Sequence, residues 1–179
     1  MYEVEMKVRA DLAAVAAALE DADATHLGTV EQTDTYYDAP HRDFAARDEA
    51  LRLREEREEG AVDVAMTYKG PLVESASKTR RELETGIDDG AVMAAMLDAL
   101  GFSPAETVEK RRRRYELEGF VVTLDEVTGL GDFVEIDAEA TEDAIEPTRE
   151  RAVEILEALG LDPAEQIRAS YLELLLEHE

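Results

Sequence analysis

The chain contains no cysteine. That absence excludes a disulfide framework, a thiolate zinc site and a cysteine nucleophile. No apolar run approaches the ~20 residues that span a bilayer as a helix. The first residues, Met1-Tyr2-Glu3-Val4-Glu5, lack the basic start and apolar stretch of a secretory signal. The expectation is a cytoplasmic protein without membrane contact. Lysine is scarce, at 4 of the 19 basic residues, against 44 Asp and Glu. The resulting net charge of −25 repels phosphate as a whole-molecule field and argues against nucleic-acid binding. An acid-rich, Lys-poor composition resembles that of proteins from salt-rich cytoplasm, where surface charge is screened. Most of the acids are therefore expected on a solvated shell.

Acidity alone would fit a disordered chain. Here 45% of the 179 residues are hydrophobic and fall in periodic patterns, which predicts one folded domain over residues 1–179. Alternation over 2–9 predicts a strand. A helix over 12–22 follows, with Asp11 as its cap. Further strands are expected at 29–37, 50–56 and 62–69, the last two joined around Glu59-Gly60, with Gly70-Pro71 as a stop. Another strand over 78–85 ends at Gly86. A helix over 89–100 carries Val92, Met93, Met96, Leu97 and Leu100 at helical spacing, with Met93 and Met96 read as core. Strands at 107–118 and 120–127 turn at Gly119, and a last strand covers 133–138. A helix over 142–159, with Pro147 early in it, presents Ala152, Val153, Ile155, Leu156 and Leu159. That face suits either covering the sheet or meeting a second copy in a homodimer. A short helix closes the pattern at 170–177. Eight strands joined mostly by short turns predict an α+β fold with a largely antiparallel sheet.

The polar faces of these strands are unusually ordered. They read Glu3, Glu5, Lys7; then Arg52, Arg54; then Thr67, Lys69; then Lys78, Arg80, Glu82, Glu84; then Lys110, Arg112, Arg114; then Thr123, Asp125; then Glu135, Asp137. Same-face neighbours lie ~6.5–7 Å apart on a strand. All four lysines fall on these faces. Two arrangements fit. Either the charged faces point to solvent, or the sheet closes into a barrel of about eight strands with the charges lining its interior. In the second arrangement the basic set would hold phosphates. The acidic set would hold hard divalent cations.

The ordered series resembles the CYTH superfamily, which joins class IV adenylyl cyclases and thiamine triphosphatases. The resemblance rests on Glu3-x-Glu5-x-Lys7, Gln32-Thr33-Asp34-Thr35-Tyr36-Tyr37-Asp38, Leu51-Arg52-Leu53-Arg54 and Thr67-Tyr68-Lys69-Gly70-Pro71. It continues through Arg81-Glu82-Leu83-Glu84, the 110–115 basic run, Leu124-Asp125, the 129–137 segment and Ser170-Tyr171 with Leu174-Leu175. The resemblance implies a closed eight-stranded antiparallel β-barrel, a triphosphate tunnel, with helices packed outside. It implies that Lys7, Arg52, Arg54, Lys69, Lys110 and Arg112 grip a triphosphate. It implies that Glu3, Glu5, Glu135 and Asp137, assisted by Glu82 and Glu84, bind Mg²⁺ or Mn²⁺. Glu3, Glu5, Lys7, Arg52 and Arg54 would form the catalytic group. The family pattern carries Glu-x-Glu on the last strand, and Asp137 here is one methylene shorter. The implied activity is conversion of ATP to cyclic AMP and pyrophosphate. Hydrolysis of an inorganic or thiamine triphosphate is the alternative, and non-catalytic triphosphate binding is a third. The 111–114 arginines alternate on a strand and do not form a nucleic-acid patch. His26, His41 and His178 are expected at the surface.

Overall fold

The computed structural model describes residues 1–178 and contains eight strands and four α-helices. In chain order these are β1 (Tyr2–Arg9), α1 (Leu12–Asp21), β2 (Thr25–Asp38), β3 (Ala50–Glu58), β4 (Ala61–Leu72) and β5 (Lys78–Ile87). They continue as α2 (Gly90–Ala99), β6 (Ser103–Leu117), β7 (Phe120–Val127), β8 (Gly131–Ala140), α3 (Ile145–Ala158) and α4 (Tyr171–Glu177). All strand pairs are antiparallel, and the order β1-β5-β4-β3-β2-β6-β7-β8 closes on itself as a barrel. The closing seam runs from Tyr2 opposite Ala140 to Arg9 opposite Phe133. No helix among the described residues is long and apolar enough to cross a membrane.

Alternation decides which way each side chain points. Met6 and Val8 on β1, Val122 and Leu124 on β7, and Val134 and Ile136 on β8 face outward. There they pack under Leu12, Val15 and Leu19 of α1 and Ala152, Ile155, Leu156 and Leu159 of α3. The same strands send Lys7, Asp125 and Glu135 inward, so covering the wall and charging the lumen are one sequence pattern. Asp11 caps α1 by accepting from the Ala13 and Ala14 amides at 3.0 and 3.3 Å. Glu118-Gly119 and Glu59-Gly60 adopt positive φ at both positions, the geometry of tight hairpins whose twist matches the strands.

Toward one end of the barrel the inward-facing positions become apolar: Val108, Val127 and Phe133. Tyr171 at the start of α4 packs on them with Leu172, Leu174 and Leu175 of the same helix, so α4 closes that end. Ser170 and Glu173 form a reciprocal capping box that fixes where α4 begins.

Several expectations need correction. β4 does not stop at Gly70-Pro71. It runs to Leu72 through a register shift between Lys69 and Leu72, where the missing N–H of proline is tolerated. β5 passes Gly86 to Ile87. β2 begins at Thr25, four residues early, because a bulge between His26 and Gly28 lets pairing with β6 continue. The segment expected as helix over 142–159 opens with a 3₁₀ turn at Glu142–Ala144. On α2 only Leu97 is buried; Met93 is half-buried and Met96 is 54% exposed, so neither methionine is core. His26, His41 and His178 are exposed, as expected.

Candidate functional site

A cavity of about 590 Å³ occupies the lumen. All four lysines of the chain line it, with Arg52, Arg54 and Arg112. Glu3, Glu5, Glu82, Glu84, Glu135 and Asp137 line it too. Every site residue expected from the sequence therefore meets in one place. The alternative, charged faces turned to solvent, is not what the chain does.

The arginines and the six acids of the lining fall on different arcs of the barrel. The arc β3-β2-β6-β7 carries the arginines, and the arc β8-β1-β5 carries the six acids. On the basic arc, Arg112 donates Nε and Nη2 to Asp125 at 2.6 Å each and reaches Glu135 at 2.9 Å. Arg54 makes the same fork on Asp34, at 2.7 and 2.8 Å, and Lys110 donates to the same carboxylate at 2.8 Å. Arg52 donates to Thr67 Oγ1 at 3.1 Å, and Thr67 donates to Glu84 at 2.7 Å. On the acidic arc, Lys69 lies 3.4 Å from Glu3 and 3.3 Å from Glu82, and Lys78 lies 3.3 Å from Glu5. Glu84 sits at the rim, half exposed and beside Arg52 rather than among the other acids.

Among the cations that line the cavity, two buried atoms keep donors unspent: Lys7 Nζ and Arg52 Nε have no hydrogen-bond partner. The Lys7 ammonium lies 3.7 Å from Glu135 Oε1 and 4.2 Å over the ring of Tyr171. Burial and the neighbouring Lys78 lower the Lys7 pKa to about 8, against the pull of Glu135. A buried donor without an acceptor costs free energy until an acceptor arrives. Both residues line the cavity.

The acids show the complementary imbalance. Asp137 forms no ion pair among the described residues. Burial, then Glu3, Glu5 and Glu135, raise its pKa well above the usual carboxylate range. Burial raises Glu3 as well, opposed by Lys69 and reinforced by Glu82. Burial works against ionised Glu135, but Arg112 and Lys7 hold its pKa low. Among the described residues no three carboxylates converge at cation-binding spacing in this arrangement. The donor chemistry nonetheless fits Mg²⁺ or Mn²⁺. The oxygens are hard, and a divalent ion would relieve the repulsion around Asp137.

Sequence reasoning assigned no role to Asp34, Lys78 or Tyr171, and it grouped Asp125 with the cation-holding acids, whereas Asp125 is held by Arg112 and Tyr171. Lys78 and Asp125 were visible on charged faces, and only the register with Glu5 and Arg112 shows their use. Tyr171 donates its hydroxyl to Asp125 at 2.7 Å. Nothing local in the sequence says which barrel end it enters.

A closed barrel with opposed basic and acidic arcs defines a class of tunnel proteins built around a charged lumen. The CYTH domain profile matches residues 1–171, and the chain belongs to the CYTH family. A Methanocaldococcus jannaschii protein named as a candidate adenylate cyclase is 36% identical, covering 97% of this chain and 98% of its own length. The Aeromonas hydrophila adenylate cyclase CyaB is 30% identical, covering 95% of this chain and 86% of its own. Among solved structures, the PH1819 protein of Pyrococcus horikoshii superposes with a TM-score of 0.93 at 40% identity, covering 99% of both chains.

Proposed function

We propose that this barrel is a metal-dependent enzyme that processes a triphosphate in its lumen. We further propose that its reaction is the cyclisation of ATP to cyclic AMP and pyrophosphate. The observation that carries the reading is the pair of unspent donors, Lys7 Nζ and Arg52 Nε, buried in a cavity lined by seven cations. Phosphoryl transfer asks for positioning and charge neutralisation more than for covalent help from the protein. Arg52, Arg54 and Arg112 suit equatorial phosphate oxygens as planar forks, and Lys7, Lys69 and Lys110 supply point charge. Glu3, Glu5, Glu135 and Asp137, with Glu82 at their side, would hold Mg²⁺ or Mn²⁺. Bound there, the ion would supply Lewis-acid neutralisation of developing negative charge.

Cyclisation joins the ribose 3′-oxygen to the α-phosphorus and releases pyrophosphate. The hydroxyl proton passes to a lumen carboxylate or to water. Two observations favour an organic triphosphate and a cyclase. The rim of the cavity carries Tyr2, Met1 and Leu83, the last 49% exposed, which gives a nucleoside apolar surface to lie against. The curated relatives at 36% and 30% identity carry the cyclase name.

The test is product identification. The protein is incubated with ATP, inorganic triphosphate and thiamine triphosphate, each with Mg²⁺ or Mn²⁺ at high salt. Cyclic AMP with pyrophosphate is the expected result. Orthophosphate release would reassign the barrel as a triphosphatase. Stabilisation by triphosphate without turnover would make it a binding module.

A further inference from the structure

Asp34 is fully buried on β2, and its carboxylate accepts its hydrogen bonds from two cations of the lumen, Arg54 and Lys110. Arg54 gives it Nε and Nη2 in a fork, which leaves the remaining guanidinium N–H groups for the cavity. Lys110 gives it one ammonium hydrogen at 2.8 Å and keeps the others. No acid of the expected metal set touches Asp34, so its role differs from that of the opposite arc. Without it, Arg52, Arg54 and Lys110 would stand together as like charges in a buried wall, where repulsion is weakly screened.

We propose that Asp34 is a positioning residue for the triphosphate site: its carboxylate fixes the pose of Arg54 and keeps an ammonium at Lys110 facing the lumen. The inference rests on the triphosphate reading above. The groups facing Lys110 are Asp34 from β2, Arg54 from β3, Arg112 along β6, Asp125 from β7 and Tyr171 from α4, with Glu135 of β8 also within electrostatic reach. Burial and the two arginines push its pKa down to about 7, and Asp34 is the nearest group pulling it up. Asp34 is itself held far below the usual carboxylate range, against the effect of burial, by Lys110 and Arg54.

The test uses lysine labelled with ¹³C at Cε, which gives one signal for each of the four lysines, assigned by Lys→Arg substitution. In Asp34→Asn the Lys110 titration midpoint falls by about one unit or more, the size of effect an adjacent opposite charge exerts. The affinity of Asp34→Asn for inorganic triphosphate with Mg²⁺, relative to wild type, then rises about tenfold between pH 8 and pH 5.5 as its Lys110 regains the proton. A purely structural role leaves that ratio flat. Should Asp34→Asn not fold, Asp34→Glu tests the same point, because it keeps the charge and must leave the Lys110 midpoint in place. An unmoved midpoint in Asp34→Asn, or a lowered one in Asp34→Glu, overturns the assignment. A wild type that fails to bind triphosphate overturns the functional reading, while the lysine titration still decides the role of Asp34.

Discussion

Two buried carboxylates on the lumen wall each meet an arginine as a fork. Asp125 gives both oxygens to Arg112, and Asp34 does the same for Arg54. Breaking a buried pair by removing one partner leaves the other charge without compensation. Arg112→Ala removes the arginine partner of both Asp125 and Glu135. It is expected to lower stability by about 3–5 kcal/mol in chemical denaturation. A loss below about 1 kcal/mol would mean that the fork is not formed in solution. Lys110 sets a pH dependence with a definite sign. Its pKa is about 7 in the fold, against an ordinary 10.5, so between those values the unfolded chain holds more protons. Stability attributable to this group therefore rises with pH from about 7 towards 10.5. Wild type should gain stability on Lys110→Gln across that window, and parallel curves would refute it. Asp34 lay in plain view in the sequence yet was given no role. Thr33 and Thr35 make both faces of β2 polar, so alternation there does not say which side looks inward. On β8, apolar Val134 and Ile136 mark the outside and make Glu135 and Asp137 legible as lumen residues.

Elements were readable where local chemistry is strong and less so where pairing overrides it. Both X-Gly hairpins fall where they were expected, and Asp11 caps α1. β4 crosses Gly70-Pro71 because neighbouring β5 pairs on both sides of it, at Lys69 and at Leu72, and no local rule anticipates that. The apolar spacing of α2 suggested a buried face, yet the helix rests lightly outside the barrel with Val92, Met96 and Leu100 exposed. Spacing gives periodicity, and tertiary placement decides how much of the stripe is covered. For α3 the two agree: Ile155 and Leu156 are buried against the β1-β7-β8 wall. Leu156→Ala is expected to cost about 2–5 kcal/mol, the range for emptying a packed leucine site. A thermal unfolding midpoint within a degree of wild type would show that α3 does not clamp the barrel.

As a whole the molecule separates two electrostatic environments. The whole chain carries a net −25 and most of its acids lie outside the lumen, whereas the lumen gathers all four lysines with three arginines and balances them with acids. Self-repulsion of the shell weakens as salt shortens the screening length from ~10 Å at 0.1 M to ~3 Å at 1 M. The unfolding midpoint should therefore rise with KCl over that range, and a falling midpoint would contradict a shell dominated by like charge. Barrel closure was the step the residues alone left open, since charged strand faces suit solvent as well as a lumen. The family resemblance selected closure, and the β1–β8 seam supplies it. The central claim is that this lumen takes a triphosphate together with a divalent cation. Calorimetric titration of inorganic triphosphate with Mg²⁺ into wild type and Arg52→Ala tests it most directly. The account predicts saturable binding by wild type, weakened at least about tenfold by Arg52→Ala, as loss of a charged hydrogen bond implies. Equal binding by the two proteins, or none by wild type, would contradict it.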